Sequence, residues 1–451
     1  MGKLFGTDGA RGVANSELTC ELAMNIGRAA AMVLLENNNK DTKPCVLIGM
    51  DTRRSSDMLE GALTAGLCSV GANVIQLGVV PTPAVAYLVR KLNADAGIMI
   101  SASHNPHEFN GIKIFNGEGY KLPDALEEEI EAIVCDNAKP YPVPTGDGLG
   151  CVSKLPSALD DYIDHVASSI EGDLSGLKIA IDCSNGSASA TAEKLFTKLG
   201  ADHTIINAEP NGININEKCG STHIEGLASF VKENGFNCGV AFDGDADRCL
   251  AIDENGELID GDFIIAVCAK DLNERGKLSN NAVVGTVMTN MGFNKFCDEN
   301  GLKFEATAVG DRYVLENMLK NNYKLGGEQS GHVIFLDHGT TGDGQLTGVQ
   351  LLSIVKRSGK TLSQLAGIMK RFPQVLINVK VAREQKDNYK TDEEICNVIA
   401  ETENSLNGRG RVLVRASGTE PLIRVMLEGE NIDEITAYAQ SIADTIKTRL
   451  S

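Results

Sequence analysis

Three stretches of this chain follow one plan, and that repetition limits the fold more than any single motif. In 44–77, the apolar run Val46-Leu-Ile-Gly49 meets a turn at Asp51. A helical pattern over 59–69 follows, then Gly71-Ala-Asn73 and a second apolar run, Val74-Ile-Gln-Leu77. Residues 177–207 repeat the order: Lys178-Ile-Ala-Ile181, a turn at 182–186, a helix, Gly200-Ala-Asp202 and Thr204-Ile-Ile206. Residues 282–309 do so again, with Val283-Val-Gly-Thr-Val287, a turn at Met291-Gly292, a helix, Gly301-Leu-Lys303 and a strand over 304–309. Each is a strand–helix–strand unit of about 30 residues, the signature of parallel α/β structure. Copies in separate thirds imply three α/β domains of similar plan. Had the copies only converged on one pattern, the fold class would be the same.

The punctuation fits that division. Lys139-Pro-Tyr-Pro-Val-Pro-Thr-Gly-Asp-Gly148 reads as a surface connection, followed by an amphipathic helix over 157–170. Phe372-Pro373 opens a last segment with an alternating strand over 375–381, a helix near 393–405, strands at 411–415 and 423–428, and a terminal helix from Asn431. The expected architecture is α/β: three similar domains with mixed sheets (1–155, 156–254, 255–371) and a smaller C-terminal α+β domain (372–451) around a central cleft. A length of 451 residues agrees, being too long for one ordinary core.

A formal net charge of −19 argues against a general nucleic-acid or anionic-membrane surface. An anionic substrate would then depend on local arginines. Twelve cysteines form no CxxC pair and read as small, reduced, apolar residues. No apolar run approaches ~20 residues, and the opening Met1-Gly-Lys-Leu-Phe-Gly6 has no hydrophobic signal core. The expected location is the cytoplasm.

Four loops carry chemistry. The buried-strand pattern Gly97-Ile-Met-Ile100 ends in Ser101-Ala-Ser103-His104-Asn-Pro106, with Lys113 beyond it. Open α/β sheets bind ligands just past the carboxyl ends of their strands, so a hydroxyl and an imidazole stand where chemistry is usually placed. Alone, the pattern could equally be an ordinary strand-to-turn boundary. Asp243-Gly-Asp-Ala-Asp-Arg248 follows the apolar Gly239-Val-Ala-Phe242; its carboxylates at i, i+2 and i+4 in an extended loop point to one side. Oxygen ligands of this charge suit a hard cation, most simply Mg²⁺. The alternatives are an acidic surface turn or a calcium loop, and Arg248 occupies the position where the latter needs glycine.

Gly326-Gly-Glu-Gln-Ser-Gly-His332 sets a carboxylate, an amide, a hydroxyl and an imidazole on a glycine-rich turn suited to a polyol. Arg415-Ala-Ser-Gly-Thr-Glu-Pro-Leu-Ile-Arg424 brackets Ser417, Gly418 and Thr419 with two arginines, a phosphate nest. Gly6-Thr-Asp-Gly-Ala-Arg-Gly12 adds Arg11 on a glycine-rich loop. Singly these are moderate signals. Together they describe phosphoryl transfer on a sugar phosphate.

At these residues the whole chain resembles the α-D-phosphohexomutase superfamily. The Gly6–Gly12 opening, Gln329 and Val309-Gly-Asp-Arg-Tyr313 look more like its glucosamine-phosphate branch than its phosphomannomutase/phosphoglucomutase branch, which typically has Met where Gln329 stands. The resemblance implies that Ser103 is the phosphorylated serine. It also implies that Asp243, Asp245 and Asp247 ligate Mg²⁺ together with an oxygen of phospho-Ser103. His104 and Arg248 would lie beside the substrate, Glu328 and Ser330 would read sugar hydroxyls, and Arg415, Ser417, Gly418, Thr419 and Arg424 would clamp the distal phosphate. Arg11, Lys113 and His332 resemble residues near the reacting groups and are candidates for acid/base work. Two positions depart from common versions: Ala246 is often Gly and Ala416 is often Pro. The implied activity interconverts glucosamine 6-phosphate and glucosamine 1-phosphate through a 1,6-bisphosphate, supplying UDP-N-acetylglucosamine and cell-wall precursor synthesis. The rivals are a phosphomannomutase/phosphoglucomutase, a metal-dependent sugar phosphatase and a non-catalytic sensor. Expected partners are the hexosamine phosphate and its bisphosphate, neither nucleic acid nor membrane, with a homodimer left open.

Overall fold

The computed structural model describes residues 4–6, 9–37, 42–417 and 421–450, and every structural statement below refers to these. The chain divides into two compact units, Met1–Met288 with Leu302–Ile368, and Thr289–Gly301 with Met369–Ser451.

The first unit holds three mixed sheets. The first runs Phe5–Gly6, Gly9–Val13, Phe109–Asn116, Ala96–Ile100, Cys45–Met50, Asn73–Val79, Val152–Lys154. The second runs Leu258–Ile259, Cys249–Asp253, Cys238–Phe242, Lys178–Asp182, Asp202–Ile206. The third runs Lys303–Thr307, Ala282–Thr286, Leu325–Gly327, Val333–Phe335. In each, a group of parallel strands is followed by one strand that turns back antiparallel: Ala96–Ile100 into Phe109–Asn116, Cys238–Phe242 into Cys249–Asp253, and Leu325–Gly327 into Val333–Phe335. Ala96–Ile100 and Cys238–Phe242 are buried throughout, which is why they read as unbroken apolar runs rather than alternating ones. Leu325–Gly327 is buried too, but Leu-Gly-Gly gives no such run. Gly326 and Gly327 belong to this strand rather than to the expected turn, because Leu325 and Gly326 pair with Val283 and Val284. The Ser103 loop, the Asp243 loop and the Glu328 loop are therefore one structural position used three times.

Helices cover the sheets closely. Gly66 in the helix Arg54–Ser69 meets the helix Cys20–Asn37 so tightly that a Cβ there would stand 2.1 Å from the Met24 carbonyl oxygen. Only glycine permits that crossing.

The second unit is a three-stranded antiparallel sheet ordered Gln374–Lys380, Leu422–Gly429, Gly410–Ala416. The helices Glu393–Leu406 and Ile432–Leu450 bury one face of it around Ile395, Ile423, Val425, Leu427 and Ile442. The helix Met291–Glu299 belongs to this unit too. Met291 and Gly292 form its first turn rather than a turn ahead of it, because the Asn290 side chain caps it by accepting from Gly292 N–H at 3.0 Å. Met291 N–H donates to Glu428, and the Asn290 amide to the Phe372 carbonyl. All twelve cysteines are free, and no described helix is long and apolar enough to cross a membrane.

Candidate active site

Two of the three repeated reversals meet face to face. Ser103 Oγ donates to Asp243 Oδ2 at 2.6 Å across 140 residues of sequence. The approach is close because residue 244 is glycine: a Cβ there would stand 2.5 Å from the Ser103 carbonyl oxygen. Ser103 itself sits at φ +50°, a left-handed conformation that serine adopts only when held.

The Asp243–Arg248 segment is a tight turn, not the extended loop expected. Ala246 N–H closes onto the Asp243 carbonyl, with Ala246 at φ +56°. Curling, rather than strand alternation, brings the three carboxylates together, with oxygens of all three within 4.8 Å of one another. It also explains why glycine suits position 246. Asp243, Asp245 and Asp247 are almost wholly buried, at 0%, 0% and 5% exposure. Burial pushes the Asp243 carboxyl well above its usual range, and the charges of Asp247 and Asp245 push it further. Asp247 stands well below that range: burial opposes ionisation there, but Lys113, then His332 and Arg248, overcome it. Asp245 Oδ1 and Asp247 Oδ1 have no hydrogen-bond partner. Three crowded hard oxygen donors with open lone pairs fit a divalent cation.

Lys113, 1% exposed, reaches Asp245 at 2.9 Å and Asp247 at 3.6 Å from its place on the strand Phe109–Asn116. Thr82 Oγ1 also donates to Asp245 Oδ2, at 2.6 Å. His104 Nδ1 lies 3.3 Å from Ser103 Oγ. Burial, then Arg248 and Arg11, lowers its pKa to about 4, so the ring is neutral near pH 7. Arg11 stands on the strand Gly9–Val13 rather than on the expected loop, because that segment pairs with Phe109–Asn116, and its guanidinium donates to Asn105 Oδ1.

The third reversal joins the others. Gly331 accepts from Cys249 N–H, fixing the 328–332 turn to the end of the Asp243 turn. Glu328 Oε1 accepts from Gly310 N–H, Ser330 Oγ is buried without a hydrogen-bond partner, and Gln329 turns instead to Asp260 at 3.4 Å. His332 is 3% exposed, with Nδ1 3.7 Å from Asp247 and Nε2 3.6 Å from Asp311. Although burial works against protonation, these two carboxylates raise its pKa. Gly342 N–H, however, donates to Nε2, which assigns the proton to Nδ1 in the uncharged ring. His332 thus orients Asp247 from behind.

In the second unit, Arg415 and Arg424 do not merely bracket a loop; they face each other as a cross-strand pair. Burial, then the charge of Arg424, lowers the Arg415 pKa, the state an incoming anion would relieve. Ser417 is buried and accepts at its carbonyl from Lys386 Nζ at 3.1 Å, a third cation that the sequence pattern did not reveal. Gly418 and Thr419 lie outside the described residues. Also unforeseen were Thr82, Asn216 and the buried pair Asp51/Arg53. That pair follows the strand Cys45–Met50, and charges placed straight after an apolar run were the signal available.

Four matches cover nearly the whole chain: phosphoglucomutase/phosphomannomutase alpha/beta/alpha domain I over 2–140, domain II over 160–256, domain III over 260–372 and the C-terminal domain over 376–445. The chain is 57% identical over 450 residues to the phosphoglucosamine mutase of Acetivibrio thermocellus, covering all of both chains. Among solved structures, a phosphoglucomutase/phosphomannomutase family protein from Burkholderia thailandensis superposes with a TM-score of 0.81 at 23% identity, over 99% of this chain and 98% of that one. The Aspergillus fumigatus N-acetylphosphoglucosamine mutase, solved with GlcNAc-6P and magnesium, gives 0.72 at 16%, over 100% and 96%.

Proposed function

Since the chain belongs to the phosphoglucomutase/phosphomannomutase family, we propose that it interconverts glucosamine 6-phosphate and glucosamine 1-phosphate through phospho-Ser103. The observation that carries this reading is the 2.6 Å contact between Ser103 Oγ and a buried carboxylate triad, on a chain 57% identical to a phosphoglucosamine mutase. Phospho-Ser103 gives its phosphoryl group to the free sugar hydroxyl: a sugar O–P bond forms, the serine O–P bond breaks, and the hydroxyl proton ends on Ser103 Oγ. The glucosamine 1,6-bisphosphate turns over, and Ser103 recovers the other phosphate. Because the resting serine is already phosphorylated, no base is needed to activate it for the first transfer.

Asp243, Asp245 and Asp247, with a phosphoserine oxygen, would hold Mg²⁺, which supplies charge neutralisation on the transferring group. Lys113 adds a fixed ammonium beside the same carboxylates, and positioning does most of the rest. Neutral His104 and cationic Arg11 and Arg248 line the approach to Ser103. Glu328 and Ser330 are the hydroxyl readers, and Arg415, Ser417 and Arg424, with Gly418 and Thr419, hold the phosphate that does not react. The enzyme would act in the cytoplasm, supplying amino-sugar nucleotide and cell-wall precursor synthesis.

A coupled assay with Mg²⁺ compares glucosamine, glucose and mannose 1-phosphates on the phosphorylated enzyme. A preference for the glucosamine ester of tenfold or more, about 1.4 kcal/mol in transition-state binding, is expected. Equal or better turnover of the hydroxyl sugars moves the chain to the phosphomannomutase/phosphoglucomutase branch, and free phosphate as the main product makes it a phosphatase. Ser103→Ala should abolish turnover.

A further inference from the structure

The reaction returns Ser103 Oγ to one place after every half-turnover, yet the residue holds a backbone conformation serine does not favour. The structure shows what holds it. Arg53, just ahead of the helix Arg54–Ser69, has a fully buried guanidinium. All five of its N–H groups are engaged. Nε donates to Asp51 Oδ2 at 2.8 Å. One terminal nitrogen donates to the carbonyls of Ser103 at 2.9 Å and Asn105 at 2.8 Å. The other donates to Phe109 at 3.0 Å and to Pro106. Four carbonyls of the 103–109 loop thus converge on one cation. Asp51 answers with four accepted bonds, from Arg53 N–H, Arg53 Nε–H, Ser56 Oγ–H and Ser101 Oγ–H, and the Ser101 oxygen in turn accepts from Ser103 N–H at 2.9 Å. From the loop after the strand Asp202–Ile206, Asn216 Nδ2 donates to the same Ser103 and Asn105 carbonyls, at 2.9 and 3.2 Å.

A buried ion pair is a poor way to add stability, since an apolar pair of similar volume usually does as well. It is a good way to force carbonyls that would otherwise repel one another to point at a common centre. Only a guanidinium does this geometrically: lysine matches the charge but presents three donors from one point. We propose that Arg53 is the positioning residue for phosphoryl transfer, fixing Ser103 and its loop in the reactive conformation, with Asn216 as a lesser second support. Arg53 and Asn216 hydrogen-bond the loop backbone and Asp51, not the carboxylates of Asp243, Asp245 or Asp247. The proposal rests on Ser103 being the phosphoacceptor.

The test uses full-length Arg53→Lys and Asn216→Asp, with the phosphorylated fraction of each measured by intact mass. Turnover of glucosamine 1-phosphate is expressed per folded, phosphorylated molecule, beside the share of phosphoserine lost to water. Misplacement by about 1 Å costs roughly 10²-fold. Arg53→Lys should therefore lose about that much kcat, with KM within about threefold and a larger share of phosphate lost to water. Asn216→Asp should lose about tenfold in the same pattern. A merely structural role would lower the folded or phosphorylated fraction and leave kcat per competent molecule at the wild-type value, and that result overturns the proposal. If Arg53→Lys does not fold, wild-type kcat and wild-type water loss in Asn216→Asp overturn it alone. Phosphate retained on Ser103→Ala would instead overturn the phosphoacceptor reading.

Discussion

The surroundings of Ser103 in the first unit and the arginine pair of the second treat charge in opposite ways. Around Ser103, charges are buried and paired: Lys113 lies on Asp245 and Asp247, Arg53 on Asp51, and His332 backs Asp247. On the small sheet, Arg415 and Arg424 stand opposite each other, half exposed, with Lys386 near Ser417. Like charges directly across strands destabilise a sheet unless something anionic joins them. The first arrangement fixes atoms before substrate arrives; the second sets two like charges side by side, a place where an added anion is welcome. Under the proposed reaction, the contrast separates a group that must be placed from one that need only be held.

The sharpest way to break this contrast is Asp245→Asn. It should lower kcat by about 10³-fold while the fold persists, read by turnover across a Mg²⁺ titration, as expected when a preorganised charge is removed. Near-normal turnover at low Mg²⁺ would show the triad is not a metal site. Next in size, Arg424→Ala should raise KM by roughly 10- to 100-fold with a much smaller change in kcat, because a held phosphate loses charge-assisted hydrogen bonds. A fall in kcat matching that of Asp245→Asn would erase the distinction between placing and holding.

Smaller still is a pH effect on the buried side. Asp343 caps the helix Gly344–Ser358, accepts from Tyr162 Oη at 2.7 Å, and has its pKa raised to about 6, chiefly by burial. Its folded pKa lies above the unfolded one, so the native state binds more protons between about pH 4 and 6. Its contribution is complete at low pH and is lost as pH rises through 6, by about 3 kcal/mol at most. Urea unfolding across that window should show a slope that Asp343→Asn flattens; an unchanged slope assigns it to other groups. The smallest effect belongs to Ala246→Gly. Relief of the left-handed backbone and loss of a buried methyl nearly cancel, leaving unfolding free energy within about 1 kcal/mol of wild type. A larger loss would make that methyl a packing determinant.

The Ser103 and Asp243 loops were readable from residues alone, because each follows an apolar run and the buried strand is the strongest local signal. What escaped depends on pairing across distance. Arg11 looked like a loop residue because its strand partner, 109–116, lies about a hundred positions away. Arg53 and Asn216 serve carbonyls of a loop neither adjoins in sequence. Arg415 and Arg424 are nine positions apart in sequence but directly opposed in register. The Asp243 turn misled for a local reason: alternation predicts an extended loop, whereas Ala246 adopts a conformation no period encodes.

The helix Met291–Glu299 leaves between two strands of the third sheet yet is counted with the small unit, so the chain passes between the units three times, near 288, 301 and 368. A protease therefore meets a piece that no single cut can excise. Truncation near 372 would strip that helix of Phe372 and Glu428, leaving a remnant with bare sticky ends rather than a smaller working protein. A gene for this fold cannot be shortened from its end one compact unit at a time.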